Sequence, residues 1–152
     1  MTFEPKKSSI DRSMGPAVGR RAEGGGGVPT SNSAADYTVL IAEDEAVVAM
    51  DLDLLAQESG ATTVIVAPTV AEAGIAVRAN AIDFAILDIS LTDGDIYEVA
   101  DELRDRGVPM AFHSAHANPD ELSSRYPSAH ICGKPSSPHI LQDLLRLAIH
   151  RV

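Results

Sequence analysis

From residue 37 onward, short apolar runs rich in β-branched residues alternate with stretches whose apolar residues recur at helical spacing. The predicted strands are residues 38–42, 62–67, 82–89, 110–113 and 129–132. The predicted helices cover residues 45–59, a segment opened by the capping pair Thr69 and Glu72, residues 93–106, a short segment from Asn118, and a final segment from Ser137. The pattern therefore predicts five β/α units.

Continuous apolar strands that alternate with helices are typical of a parallel sheet with both faces covered. Five units are too few for a closed eight-stranded barrel. We therefore expect an α/β fold with an open, doubly wound, five-stranded parallel sheet of flavodoxin-like order 2-1-3-4-5. Ligands of such sheets bind beyond the carboxyl ends of the strands, where the strand order reverses, so polar residues at those ends are candidates for function.

Residues 1–36 have a different composition from the rest of the chain. They contain six of the eleven glycines, including the run from Gly24 to Gly27, and no apolar periodicity. The glycine run lacks the Gly-Lys-Ser/Thr that a phosphate-binding loop would need after it. We interpret residues 1–36 as a disordered leader and residues 37–152 as one folded domain.

The charge and hydropathy of the chain argue against nucleic-acid-binding, membrane-spanning and secreted proteins. The leader accounts for +1 of the net charge of −10, so residues 37–152 carry −11. A strongly acidic domain argues against nucleic acid as a partner, because phosphates are bound by clustered lysines and arginines. No apolar run approaches the roughly 18 residues of a membrane span, and no signal peptide is evident, so we expect a cytoplasmic protein without a membrane partner.

The single cysteine, Cys132, excludes an internal disulfide and a zinc site built from several cysteines. It lies in an apolar strand, where a small buried residue is the simplest interpretation.

Acidic residues end two strands that are neighbours in the predicted order. Glu43, Asp44 and Glu45 follow the first strand, and Asp88 ends the apolar run of the third. Carboxylates that converge in one crevice repel each other unless a cation is bound. Oxygen ligands of this kind suit Mg²⁺. Glu45 fits an ordinary solvated residue, whereas a lone aspartate at the end of a buried strand indicates function.

The fourth and fifth strands also end in polar groups. Ser114 follows the fourth strand, and Lys134 follows the fifth and is the only lysine after residue 7. A single lysine in a domain that otherwise uses arginine indicates a specific role towards a carboxylate or a phosphate.

Together these strand ends resemble the receiver domain of two-component response regulators over residues 37–152. The matching positions are Glu43, Asp44, Asp88, Ser114, Ala115, Lys134 and Pro135. The resemblance implies a phosphoacceptor switch that takes a phosphoryl group from a histidine kinase or a histidine phosphotransfer protein. It also implies that the protein acts on an unidentified downstream protein by contact, and that it is not an enzyme for a separate substrate.

The same resemblance implies the role of each site residue. Glu43, Asp44, Asp88 and the backbone carbonyl of Ser90 would hold Mg²⁺, and Asp88 would accept the phosphoryl group. Ser114 would donate a hydrogen bond to a phosphoryl oxygen, and Lys134 would pair first with Asp88 and then with the phosphoryl group.

Two positions depart from the family pattern. Thr92 stands four residues after the acceptor, where many receivers have proline, and Ile131 stands where an aromatic switch residue is common. The segment from Leu103 to Met110 and the following Phe112 are similar to stand-alone receivers of alphaproteobacteria, a group that tends to have Thr-Gly-Tyr where this chain has Ser-Ala-His.

Three other functions are compatible with parts of this pattern. The departures at Thr92 and Ile131 would suit a receiver-like interaction module that works without phosphorylation. A topoisomerase-primase-like magnesium domain would need Asp-x-Asp where the chain has Asp88-Ile-Ser90, and it would bind DNA, which the acidic charge disfavours. A haloacid-dehalogenase-like phosphatase would need Asp-x-Asp at the first strand, where the chain has Glu43-Asp44-Glu45.

Overall fold

The structure is a computed structural model that describes residues 6–9, as backbone only, and residues 35–150. Its strands are β1 (Lys6–Ser9), β2 (Thr38–Ala42), β3 (Thr63–Ala67), β4 (Phe84–Leu87), β5 (Ser90–Leu91), β6 (Gly94–Asp95), β7 (Met110–Ser114) and β8 (His130–Gly133). Its helices are α1 (Ala46–Ser59), α2 (Val70–Ala79), α3 (Tyr97–Asp105), α4 (Pro119–Arg125) and α5 (Pro138–Ile149). Among the described residues, no helix has the length and hydropathy that a membrane span requires.

Five strands form a parallel sheet in the order β3-β2-β4-β7-β8. In chain order of these five strands this is 2-1-3-4-5, so the predicted flavodoxin-like fold is confirmed. The reversal of strand order lies between β2 and β4, whose registered pairs run from Val39 with Phe84 to Ala42 with Leu87. The carboxyl ends of these two strands therefore lie side by side.

A sixth strand, β1, pairs with the outer edge of β3 in antiparallel orientation, from Lys6 opposite Val66 to Ser9 opposite Thr63. The sequence predicts disorder for these residues, so the prediction of a fully disordered leader differs from the structure here. Lys6–Ser9 has no apolar residue, and hydrogen bonding to the free backbone of an edge strand leaves no periodicity in a sequence. The rest of the predicted leader up to residue 34, and residues 151–152 at the far end of the predicted domain, lie outside the described residues.

Helices cover the sheet on both faces. One apolar cluster lies between the sheet and α2, α3 and α4, with Leu40, Leu87 and Phe112 among its fully buried members. The other lies between the sheet and α1 and α5. The strands β2, β4 and β7 are buried on both faces along nearly their whole length, which is why their sequences are apolar without alternation.

Helix α1 packs through small residues. Ala49, Leu52 and Ala56 face the sheet, and they are at most 5% exposed. Three of its larger apolar residues point outward, since Val47, Met50 and Leu54 are 72%, 70% and 56% exposed. The helical spacing of large residues predicts the helix correctly, but its buried face is the one that carries the alanines.

The segment after β4 differs from the sequence prediction. The predicted third helix begins at residue 93, but α3 begins at Tyr97. The intervening residues form a hairpin in which β5 pairs with β6, Ser90 opposite Asp95 and Leu91 opposite Gly94. Gly94 has φ of 141°, a conformation that glycine adopts far more easily than other residues, and this ends any helical start at Asp93.

Tyr126, just after α4, joins α4 to α3 and to the sheet. Its side chain is 1% exposed. Its hydroxyl donates a 2.6 Å hydrogen bond to Oδ1 of Asp101, and its ring lies 5.1 Å from the ring of Phe112 between centroids. Burial, followed by the Asp101 carboxylate, raises the pKa of Tyr126 well above its usual value. The short helix α4 is thus attached at its carboxyl end by one aromatic side chain.

We predict that Tyr126→Ala lowers the free energy of unfolding by about 3–5 kcal/mol, as for other large core truncations. Tyr126→Phe removes the hydrogen bond to the partly exposed Asp101 carboxylate and a longer contact, 3.4 Å, with the carbonyl oxygen of Tyr97, and it should cost about 1 kcal/mol. Urea unfolding followed by circular dichroism measures both losses. The control is Tyr37→Phe, because the Tyr37 hydroxyl lies 3.5 Å from the carbonyl oxygen of Asp83, at the limit of hydrogen bonding. A loss in Tyr126→Phe no larger than in this control would contradict the assigned role of the hydroxyl.

Candidate functional site

The candidate residues gather at the carboxyl edge of the sheet because each one directly follows or ends a parallel strand. Glu43 and Asp44 follow β2, Asp88 follows β4, and Ser114 ends β7. Lys134 follows β8. Since these strands are neighbours in the sheet, their carboxyl ends open into one crevice.

The crevice holds three carboxylates close together. One oxygen each from Glu43, Asp44 and Asp88 can be chosen so that all three lie within 4.8 Å of one another. Glu43 and Asp88 are 2% and 7% exposed, so their charges have little solvent to screen them. Hard oxygen donors in this arrangement fit a divalent cation such as Mg²⁺. Ser90 lies two residues after Asp88, at the start of β5.

Lys134 places its ammonium among these carboxylates. Its Nζ lies 2.8 Å from Oε1 of Glu43 and 2.9 Å from Oδ2 of Asp88. Burial alone would lower the pKa of Lys134, but hydrogen bonds and attraction from Glu43 and Asp88 outweigh burial and raise that pKa well above its usual value. Lys134 is therefore firmly charged, and it neutralises part of the acidic cluster.

Glu43 is the most constrained of the acidic residues. Its Oε2 accepts a 3.0 Å hydrogen bond from the backbone N–H of Glu45. Burial nevertheless raises the pKa of Glu43 above its usual value, and the negative charge of Asp88 adds to the rise, although Lys134 and the Glu45 N–H oppose it. One ammonium shared among several carboxylates does not fully compensate them, so a second cation would be favourable here.

Ser114 closes the crevice on the β7 side. It is 1% exposed, and its Oγ accepts a 3.3 Å hydrogen bond from the backbone N–H of His116. The backbone N–H of Lys134 donates to the carbonyl oxygen of Ser114 at 3.3 Å, so the two loops that carry the hydroxyl and the ammonium are joined directly.

The sequence did not single out His113, which lies beside the site. It is 7% exposed, and its Nε2 lies 3.1 Å from Oγ of Ser136, in the loop that carries Lys134. Burial, followed by the positive charge of Lys134, lowers the pKa of His113 below its usual value, although Asp88 opposes this. A histidine within an apolar strand gives no sequence signal that separates it from a core residue.

The structure thus brings the predicted residues to one crevice, while their roles stay predictions. Glu45, interpreted as solvated, has a side chain that is 66% exposed and lies 3.5 Å from Lys134 Nζ. Cys132 is buried in β8, as predicted. Exposed Met50 also borders the crevice, because it lines a groove of about 280 Å³ together with Glu43 and Asp44.

No protein-family model and no curated protein sequence matches the chain, but solved structures do. The chain is similar to a response regulator receiver protein from Sinorhizobium medicae, with 26% identity, a TM-score of 0.68, and coverage of 78% of this chain and 98% of that one. It is similar to the non-phosphorylated HemR receiver domain from Leptospira biflexa, with 23% identity, a TM-score of 0.66, and coverage of 77% and 97%.

A third similar structure is a Francisella response regulator receiver domain, with 22% identity, a TM-score of 0.64, and coverage of 76% and 98%. The structural neighbours are thus response regulator receiver domains, and the chain has the flavodoxin-like receiver fold.

We predict a pH dependence of stability from His113. Because its pKa is lower in the folded than in the unfolded state, its contribution to stability is complete above about pH 6.5, the usual histidine pKa, and is lost as the pH falls through the lowered value. Urea unfolding of the wild type between about pH 7 and pH 5 should therefore show a loss that is smaller in His113→Gln. The control is His139→Gln, because His139 is exposed. If His113→Gln lost stability as steeply as the wild type, the assignment would be wrong.

Proposed function

We propose that this protein is a phosphoacceptor switch of a two-component phosphorelay, in which Asp88 receives a phosphoryl group from a phosphohistidine. The supporting observation is Asp88, which directly follows the buried strand β4 and is 7% exposed, and whose carboxylate lies 2.9 Å from the only lysine of residues 37–152. A carboxylate held in this way is available as a nucleophile towards phosphorus.

The transfer moves one phosphoryl group between two proteins. A carboxylate oxygen of Asp88 forms the new P–O bond while the P–N bond to the donor imidazole breaks. The electrons of that bond remain on the imidazole nitrogen, which can then take a proton. The product is an acyl phosphate on Asp88 and a free histidine on the donor, with no oxidant or further reactant.

The chain supplies charge and position for this step. Phosphoryl transfer passes through a loose transition state with charge on the equatorial oxygens, so positioned cations and hydrogen-bond donors provide most of the catalysis. The ammonium of Lys134 already lies beside Asp88, and the Ser114 hydroxyl can turn towards a phosphoryl oxygen.

Glu43, Asp44, Asp88 and the backbone carbonyl of Ser90 would hold Mg²⁺. When bound, the ion would neutralise charge on the phosphoryl oxygens and relieve repulsion among the three carboxylates. The protein side of this arrangement is supported by the oxygen atoms that lie within 4.8 Å of each other.

The signal would leave the protein by contact with another protein in the cytoplasm. The proposed chemistry takes place on the protein's own aspartate, so we propose a signalling protein that catalyses only its own phosphorylation and dephosphorylation, not an enzyme for a separate substrate. Membership of a stand-alone alphaproteobacterial subgroup stays a prediction from the sequence.

We further propose that the donor protein binds to the outward face of α1, formed by Val47, Met50 and Leu54. These large apolar side chains are more than half exposed, and Met50 lines the same groove as Glu43 and Asp44. A phosphohistidine can reach Asp88 only if its protein lies against this edge of the sheet, and exposed apolar residues next to the crevice would stabilise such a complex.

A phosphorylation-independent interaction module is the second candidate. Ile131, which stands where receivers commonly have an aromatic residue, is only partly buried and packs against the core. The absence of an aromatic residue at position 131 affects how a signal would be transmitted after phosphorylation. The acidic crevice with Lys134 concerns phosphorylation itself and supports the first candidate. Labelling of the wild type would decide between the two candidates.

Asp88→Asn should accept no phosphoryl group, because the amide that replaces the carboxylate is not a nucleophile of comparable strength. The wild type and the variant are incubated with acetyl phosphate and Mg²⁺, and intact-mass spectrometry counts the phosphoryl groups. We expect one acyl phosphate on the wild type and none on the variant.

The matched control is Asp95→Asn. Asp95 is an exposed aspartate of the hairpin after β4, and its carboxylate accepts a hydrogen bond from the backbone N–H of Tyr97. The control variant should be labelled like the wild type. Labelling of Asp88→Asn at the wild-type level would disprove the proposed acceptor, and an unlabelled wild type would favour the phosphorylation-independent module.

Polar substitutions on α1 should slow transfer from a protein donor but not from a small molecule. For Met50→Gln combined with Leu54→Gln, we expect kcat/KM for the phosphorylated donor protein to fall about tenfold, a typical effect of removing apolar anchors from an interface. The rate with acetyl phosphate should be unchanged, because that donor needs no docking surface.

Leu147→Gln is the control for this prediction. Leu147 is also 72% exposed, but it lies on α5 in a groove with Tyr37 and Phe84, near the amino end of the sheet. If Leu147→Gln slowed transfer from the donor protein and the α1 variant did not, the donor would bind elsewhere.

A further inference from the structure

The hairpin after β4 carries a residue that the proposed site does not use. Strands β5 and β6 contain two residues each, and Thr92 and Asp93 form the tip between them. The hairpin starts at Ser90, only two residues after Asp88. Its position therefore fixes where the Ser90 backbone carbonyl lies relative to the acidic crevice.

Asp93 ties the tip of this hairpin to the amino end of α2. Its Oδ1 accepts a 2.7 Å hydrogen bond from the backbone N–H of Val70, and its Oδ2 accepts a 3.1 Å bond from that of Ala71. The next helical N–H, that of Glu72, donates to Oγ1 of Thr69 at 3.1 Å. The first three N–H groups of α2, which have no partner within the helix, are thus all satisfied, two of them by Asp93.

The charge of Asp93 suits this position. A carboxylate at the amino end of a helix is stabilised by the N–H groups and by the helix dipole. The hydrogen bond from Val70 is the main reason that the pKa of Asp93 lies below its usual value. The carboxylate therefore stays ionised, and the tie persists, throughout the pH range of ordinary cells.

The base of the hairpin is attached to the core separately from the tip. The backbone N–H of Ile96 donates to the carbonyl oxygen of Ile89 at 2.9 Å, and Leu91 is buried in the core. A pair of two-residue strands is too short to hold its own geometry in water, since even longer isolated hairpins are marginal. The tip therefore needs a second attachment, and Asp93 provides it.

We propose that Asp93 is a positioning residue for the metal site, which acts by holding the hairpin so that the Ser90 backbone carbonyl faces the acidic crevice. The inference rests on the proposed function, because it concerns the same Mg²⁺ site. Asp93 itself is not a ligand: it is exposed, and the cluster of carboxylates found among the described residues consists of Glu43, Asp44 and Asp88.

The test measures Mg²⁺ binding without any phosphoryl donor. Asp93→Ala removes both acceptor oxygens, and Asp93→Asn keeps one. Calorimetric titration with Mg²⁺ should show affinity reduced on the order of tenfold in Asp93→Ala, as when residues that orient ligands are lost, and reduced less in Asp93→Asn. Hydrogen exchange of the Val70 and Ala71 amides, measured without Mg²⁺, should be faster in Asp93→Ala.

Asp83→Ala is a matched control, because the Oδ2 of Asp83 likewise accepts a backbone hydrogen bond, 2.8 Å from the N–H of Thr38. That bond lies at the amino end of the sheet, so its loss should lower stability and leave Mg²⁺ affinity unchanged. Equal affinities in the wild type and Asp93→Ala, or an equal reduction in Asp83→Ala, would overturn the inference.

The two proposals fail in different ways. If the wild type binds Mg²⁺ and is labelled on Asp88, while Asp93→Ala binds Mg²⁺ as tightly as the wild type does, only the role of Asp93 is wrong. A wild type that binds no Mg²⁺ would overturn the proposed function, and the inference about Asp93 with it.

Discussion

Repulsion among carboxylates in a partly dry crevice is the constraint on which the rest of the site depends. Glu43, Asp44 and Asp88 meet because parallel strands end side by side at the reversal of strand order. Lys134 reduces this repulsion, because its ammonium lies within 2.9 Å of the carboxylates of Glu43 and Asp88. The compensation is incomplete, because one ammonium faces three carboxylates, and burial in addition raises the pKa of Glu43. A site left with unbalanced negative charge is stabilised when a cation binds.

The sequence predicted the sheet and the crevice well, because both depend on local patterns. Apolar runs identify parallel strands, and topology alone then places Asp88, Ser114 and Lys134 at one edge. The hairpin at residues 90–95 was missed, because it is held by a contact between Asp93 and the start of α2, far away in the chain. The edge strand β1 was missed because backbone pairing requires no particular side chains. The Asp93 hydrogen bonds and the β1–β3 pairing both join segments that are distant in the chain, and neither contact produces a local sequence pattern.

In helix α1 the size of an apolar side chain does not determine whether it is buried. Alanines on its inner face let the helix approach the sheet closely, and large side chains such as Met50 are then left to solvent. Size alone therefore does not separate buried Leu52 from exposed Met50 and Leu54 in this helix. In the receiver fold such an outward face lies beside the acidic crevice, so a surface that stability does not explain is free to serve recognition.

The antiparallel strand β1 changes what the outer edge of the sheet offers to other chains. The backbone of β3 would otherwise present unpaired N–H and C=O groups next to fully buried Val64 and Ile65, and an edge of that kind is a template for aggregation. Lys6–Ser9 occupies this template with residues of low β-propensity and with two lysines, which are themselves poor partners for further strands. Removing the amino-terminal residues to obtain a minimal domain would therefore expose the unpaired backbone edge of β3. The truncation should reduce solubility more than it reduces folding stability.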